Sequence, residues 1–272
     1  MHLSFPFTVG QVLWALTFAG QLVLLVVLMG RDLVKRYPWF TASIVVFALR
    51  LLVEVLLTGR MAPMPLRAIF IVLADLMALI GLLVVVEFAR RAFAGARTQA
   101  WLPWTVGLVA AAIGVLAVWG PWPEWKQVTW DTPLAKFGLM QLAAQKADLL
   151  MDLLTVELGL MVVLFGRCFQ AGWRSHTQRI VIGLSTVALT WLTVQGVWQM
   201  IAKTVHPHSQ EEYERLIGLG GKLVNANKAV YIAVLVWWIV CLWFDEPGAA
   251  ANAAAPQAAE SLAAPEVPQS AK

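Results

Sequence analysis

Four carboxylates and an arginine sit inside stretches of this chain that otherwise read as hydrocarbon. Arg50 and Glu54 interrupt FALRLLVEVLL (47–57), Asp75 interrupts an apolar run at 67–88, and Asp152 and Glu157 interrupt another at 138–165. A charge at mid-bilayer costs about 2.5–3.5 kcal/mol on insertion scales, so each of these residues needs a partner, a proton or water. Arg50 and Glu54 stand four residues apart, which puts them on one helix face as an expected pair. One cation cannot neutralise four acids in a low dielectric. Either Lys146 joins them, or some carboxyls hold protons, or a cation or a water-filled cavity lies among them. Such a cluster offers proton or cation exchange, or a pocket for a polar ligand. The plainer alternative is a polar core that only fixes helix packing.

Helical periodicity groups these residues further. Gln141, Gln145, Asp148 and Asp152 fall on one stripe of the 138–165 segment, whereas Lys146 and Glu157 lie on another. A helix polar on two sides is expected to be the central one, least exposed to lipid. In the next apolar segment Thr186, Thr190 and Thr193 form a polar stripe that Gln195 and Gln199 continue outward. The expected ligand- or proton-binding residues are therefore Arg50, Glu54, Asp75, Lys146, Asp148, Asp152, Glu157, Gln195 and Gln199.

Other chemistries lack their residues. The chain has no GxSxG, HExxH, P-loop or CxxC pattern, and no histidine inside an apolar segment to ligate haem. Lys228 stands only at the outer end of the last apolar segment, which argues against a retinal Schiff base at its middle. His206, His208 and Glu211 form only a weak metal pattern in a loop. No catalytic residue, metal or cofactor is expected, and the chain does not read as an enzyme. Cys168 and Cys241 read as free thiols.

Seven apolar stretches must position these side chains: 10–29, 39–58, 67–88, 101–120, 138–165, 180–201 and 226–244. Each approaches or exceeds the ~20 residues a membrane span requires. The 272 residues are 60% hydrophobic and only 13% charged, against roughly 25% for soluble domains. The bilayer must therefore be part of this protein's solvent, and the fourteen tryptophans suit its headgroup level. Without period-2 alternation the segments must be helices. The expected fold class is all-α, a polytopic bundle of seven transmembrane helices over 1–247, with a disordered Ala/Pro-rich tail at 248–272.

The first stretch has no basic residues before it and Arg31, Lys35 and Arg36 after it, so it reads as a true span and not a cleaved signal. Basic clusters also follow the third span (Arg90, Arg91, Arg97) and the fifth (Arg167, Arg174, Arg179). Nine basic residues on that side face seven on the other, where Glu124, Asp131, Glu211, Glu212 and Glu214 dilute them. The positive-inside rule then places the N-terminus outside and the C-terminus inside. Of the outer loops, WGPWPEWKQVTW (119–130) reads as an interfacial aromatic belt or a ligand platform. Ser209 with Glu212 begins a capping box for a short surface helix near 210–217, ended by Gly218, Gly220 and Gly221.

Two segments look duplicated. Shifted by 77 residues, ADLMALIGLLVVVEFARRAFAGAR (74–97) lies over MDLLTVELGLMVVLFGRCFQAGWR (151–174), matching Asp75 to Asp152, Phe88 to Phe165 and Arg90 to Arg167. Three two-helix repeats plus a seventh helix would follow. KRYPWF (35–40) follows the basic pattern R-x-Y-P-x-F with Lys35 in place of its arginine. On that segment the chain resembles uncharacterised bacterial seven-helix membrane proteins in which it joins the first two helices. The resemblance implies the fold and no known activity.

The functional expectation is a receptor-like or sensory bundle in the cytoplasmic (inner) membrane. Its polar cavity would open outward, lined by Arg50, Glu54, Asp75, Asp152 and Gln199. A cytoplasmic protein partner and anionic lipid headgroups would meet the inner arginine clusters. The alternatives are a proton- or cation-coupled transporter of small solutes and a membrane scaffold or assembly factor. The net charge of +4 is spread over short loops and gives no nucleic-acid signal.

Overall fold

The computed structural model describes residues 8–92, 98–119, 133–165, 175–205 and 209–244. Its helices are α1 (Val9–Gly30), α2 (Leu33–Arg36), α3 (Pro38–Leu57), α4 (Pro63–Ala92), α5 (Thr98–Val118), α6 (Pro133–Phe165), α7 (His176–Thr204) and α8 (Gln210–Trp243). No strand occurs among the described residues. The apolar stretches at 10–29, 39–58, 67–88, 101–120, 138–165, 180–201 and 226–244 correspond to α1, α3, α4, α5, α6, α7 and α8.

Local chemistry sets many boundaries. α1 begins at a capping box in which Thr8 Oγ1 accepts from the Gln11 amide at 3.3 Å and Gln11 Oε1 accepts from the Thr8 amide at 2.9 Å. Pro38 opens α3, where its missing N–H costs nothing. Gly59, with φ of 80°, turns the chain after α3 in a conformation that disfavours side chains.

α8 departs from expectation. Ser209 caps it as foreseen, accepting from the Glu212 amide at 3.2 Å. The helix does not stop after two turns, however, but runs 34 residues straight through Gly218, Gly220 and Gly221. At Gly220 a Cβ would meet the Trp198 ring at 2.9 Å, so this glycine admits a neighbouring indole instead of ending the helix.

Five helices, α1, α3, α4, α7 and α8, are long and apolar enough to cross a membrane. The chain is thus an all-helical, multi-pass membrane protein. α5 and α6 fall outside that set. The described apolar part of α5 is short, Val106–Val118, and α6 carries Lys136, Lys146, Asp148, Asp152 and Glu157.

Six helices close a ring in the order α1, α3, α4, α6, α7, α8, with α4 also touching α7 across it. α5 stands outside the ring and, among the described residues, packs only on α6. The expected three hairpins are therefore not reproduced. α1 packs on α3 and α6 on α7, but α4 and α5 make no contact among the described residues. The two look-alike segments, α4 and α6, are ring neighbours.

The main core gathers at one end of the ring. Leu28 of α1, Phe88 of α4, Val162 of α6 and Leu242 of α8 come from C-terminal ends, while Phe40 of α3 and Ile180 of α7 come from N-terminal ends. α1, α4, α6 and α8 therefore run toward this end and α3 and α7 away from it, so the ring neighbours α4 and α6, and α8 and α1, are parallel. Phe40 packs edge-on against Phe88 (5.9 Å) and Trp238 (5.2 Å), and Tyr37 stacks on Phe88 at 5.6 Å. α4, α6 and α8, of 30, 33 and 34 residues, are about 45–51 Å long, against a hydrocarbon core of about 30 Å. The C-terminal ends of all three reach the same core cluster.

Candidate functional site

Several charges of the helical segments serve helix ends. Glu87 of α4 accepts from the amides of Trp39 and Phe40, both at 3.2 Å, and so caps the N-terminus of α3. Arg91 pairs with Glu87 at 3.4 Å, donates to the Arg36 carbonyl at the end of α2, and lies over the Tyr37 ring at 4.9 Å. The Tyr37 hydroxyl meets Thr177 Oγ1 of α7 at 2.9 Å. KRYPWF is thus a joint where α2, α3, α4 and α7 meet. Arg179 donates to the Cys241 carbonyl at 3.1 Å near the C-terminus of α8.

Lys146 has the same kind of role. Its ammonium donates to the Leu116 carbonyl at 3.4 Å and to the Trp119 carbonyl, at the C-terminus of α5. The terminal carbonyls of α5 carry the negative end of its dipole, which attracts the Lys146 ammonium.

The pairing of Arg50 with Glu54 is corrected. No ion pair joins them among the described residues; Arg50 Nη1 reaches Met77 Sδ of α4 at 3.3 Å. Glu54 lies exposed, within a turn of the end of α3. Arg50 instead acts electrostatically on Asp148 of α6, as does Asp75 of α4.

Two open grooves flank the N-terminal half of α6. One, of about 480 Å³, lies against α3 and α4 and is lined by Arg50, Arg67, Gln141, Gln145 and Asp148. Arg67 is held there by a hydrogen bond to Gln141. The other, of about 350 Å³, lies against α5 and α7. Gln145, Lys146, Asp148, Gln195 and Gln199 supply its polar groups, and Trp119, Trp191 and Trp198 its aromatic walls. Gln145 and Asp148 belong to both grooves.

One turn deeper along α6, Asp152 is 6% exposed. It lines a separate cavity of about 170 Å³ inside the ring, together with Tyr231, Trp238, Met77 and Met151. Gln21 of α1 donates to the Tyr231 hydroxyl at 3.1 Å.

The single cavity expected from the sequence is therefore divided, because α6 itself stands between its parts. Asp75 is half-buried and is not among the groove-lining residues. Glu157 lines neither groove nor the inner cavity, and its buried Oε2 has no partner among the described residues. The Thr186, Thr190 and Thr193 stripe does not face the core. Each hydroxyl donates to the carbonyl four residues back at 2.8 Å on an exposed surface, which satisfies it locally.

The sequence reading missed Glu87 and the tryptophan walls. Both had a signal. Glu87 stands four residues before Arg91, and Trp191, Gln195, Trp198 and Gln199 follow the spacing of one helix face. Cys168, His206, His208, Arg97, Arg167, Arg174, the 248–272 tail and WGPWPEWKQVTW beyond Trp119 lie outside the described residues. Among the described residues, no group of three His, Cys, Asp or Glu side chains is placed to hold a metal. No protein-family model, no curated protein and no solved structure matches this chain.

Proposed function

We propose that this is a receptor-like membrane protein of seven spans, N-terminus outside, that binds a small polar solute at the outer end of α6. The observation that carries this reading is the meeting of two open polar grooves at Asp148, opposite an end closed by an aromatic core. α5 and α6 count as spans because α6 has neighbours in α4, α5 and α7 to cover its polar faces. The basic residues Arg31, Lys35, Arg36, Arg90 and Arg91 would face anionic headgroups and a cytoplasmic protein partner. The grooves hold no nucleophile placed beside a base, so binding fits them better than catalysis.

The test is thermal unfolding of the protein in nanodiscs against sugars, amines, amino acids and carboxylates. At least one class should raise the Tm, and Asp148→Leu should remove the shift. If no class moves the Tm, the reading fails.

A second reading, proton-coupled solute transport, draws on the position of Asp152, one helical turn below Asp148 and inside the ring. Proteoliposomes carrying a pH gradient should then acidify or alkalise only with substrate present, and Asp152→Asn should stop this. The absence of proton flux with every solute that binds would remove that reading.

A further inference from the structure

The groove between α5, α6 and α7 has a composition that narrows the ligand. Its walls are three indoles, Trp119, Trp191 and Trp198, and three primary amides, Gln145, Gln195 and Gln199. On α7 the four contributing residues share one face, so aromatic and amide groups alternate along it. The indoles are held from behind: the Trp198 ring abuts Gly220 of α8 and the Trp119 ring abuts Gly196 of α7.

The two charged residues of this groove are of opposite sign. Lys146 is bonded to the terminal carbonyls of α5, and Arg50, reaching from the far groove, acts on Asp148 against the opposing charge of Asp75. None of the three amides makes a hydrogen bond to another described residue. An added cation would compete with Arg50 and Lys146, and an added anion would face Asp148. The free amides offer donors and acceptors together, and the indoles offer flat apolar faces. A volume of about 350 Å³ is at the lower end of ligand pockets, which run from about 300 Å³ upward.

We propose that this groove binds an uncharged sugar ring, presented either as a free mono- or disaccharide or as the headgroup of a glycolipid. Hydroxyls around the ring match the amides, and its C–H faces match the indoles. The assignment rests on the solute-binding reading above and names its ligand class.

The experiment is isothermal titration calorimetry on the full chain in phosphatidylcholine nanodiscs. One arm titrates glucose and maltose. A second presents the disc with a glucosyl diacylglycerol, using unglycosylated diacylglycerol as control. Tetramethylammonium and succinate are the charged comparators. Saturable binding is expected in one sugar arm, and which arm responds identifies the source. Gln195→Leu and Trp191→Ala should each weaken it by about tenfold or more. Trp191→Phe should retain most of it, and Thr186→Val, on the exposed face of α7, should leave it unchanged.

Binding of a charged comparator with no sugar response overturns the sugar assignment and leaves the solute-binding reading standing. Sugar binding that ignores Gln195→Leu, Gln199→Leu and Trp191→Ala alike overturns the location. No binding by any probe, together with no Tm shift across the wider panel, overturns both.

Discussion

Glu87 shows why a charge in an apolar helix is not by itself a binding residue. Its carboxylate satisfies two amides at the start of α3 and holds Arg91, which in turn meets α2 and Tyr37. Removing the charge and removing the acceptor should have different costs. Glu87→Gln keeps an acceptor and is expected to lose about 1 kcal/mol of stability. Glu87→Ala leaves the Trp39 and Phe40 amides without a partner and is expected to lose about 2 kcal/mol or more. Glu54→Gln, on the exposed surface, is expected to stay within about 0.5 kcal/mol. Denaturant unfolding in detergent micelles ranks the three, and an equal effect at both sites contradicts the capping role.

Among the elements, α5 and the helix interfaces make opposite demands. Among the described residues α5 packs only on α6, and Lys146 ties down its C-terminal carbonyls. Lys146→Met should therefore speed amide hydrogen exchange across Val106–Val118 and leave α1, α3 and α8 unaffected. Where helices approach closely, glycine is required because a side chain has nowhere to go. A Cβ at Gly183 would overlap the Trp238 indole, and one at Gly159 would overlap Ser185, whose hydroxyl bonds the Thr155 carbonyl at 2.8 Å across the α6–α7 interface. Gly183→Leu and Gly159→Leu are each expected to destabilise by about 1–3 kcal/mol or to prevent folding. Gly114→Leu on α5, with nothing within 4 Å, should change the Tm by a degree or so at most.

For the whole molecule, the aromatic cluster and the grooves lie at opposite ends, so the protein has one closed end and one grooved, or receptive, end in the reading proposed above. Placed in a membrane with its basic residues inward, the receptive end faces outward. In a background of Cys168→Ser and Cys241→Ser, Thr58→Cys and Val205→Cys should react with an impermeant maleimide on intact cells. Arg31→Cys should react only after permeabilisation. The reverse labelling pattern would invert the orientation and move the grooves to the cytoplasmic side.

Hydropathy and composition alone determine that the chain is helical and lives in a bilayer, because a backbone in hydrocarbon must bond within its own segment and apolar length is a local property. The stripe Gln141, Gln145, Asp148 and Asp152 was legible for the same reason: helical spacing places residues on a face whatever surrounds the helix. Which partner that face meets is not local. Arg50 reaches Met77 and makes no ion pair with Glu54, Lys146 bonds the end of α5, and Asp152 lines a cavity apart from the outer grooves. Those outcomes depend on the order of helices around the ring and on which terminal carbonyls lie within reach. Only the packed structure decides them, because an unsatisfied helix end carries about half a unit charge and so competes with oppositely charged side chains for the same residue.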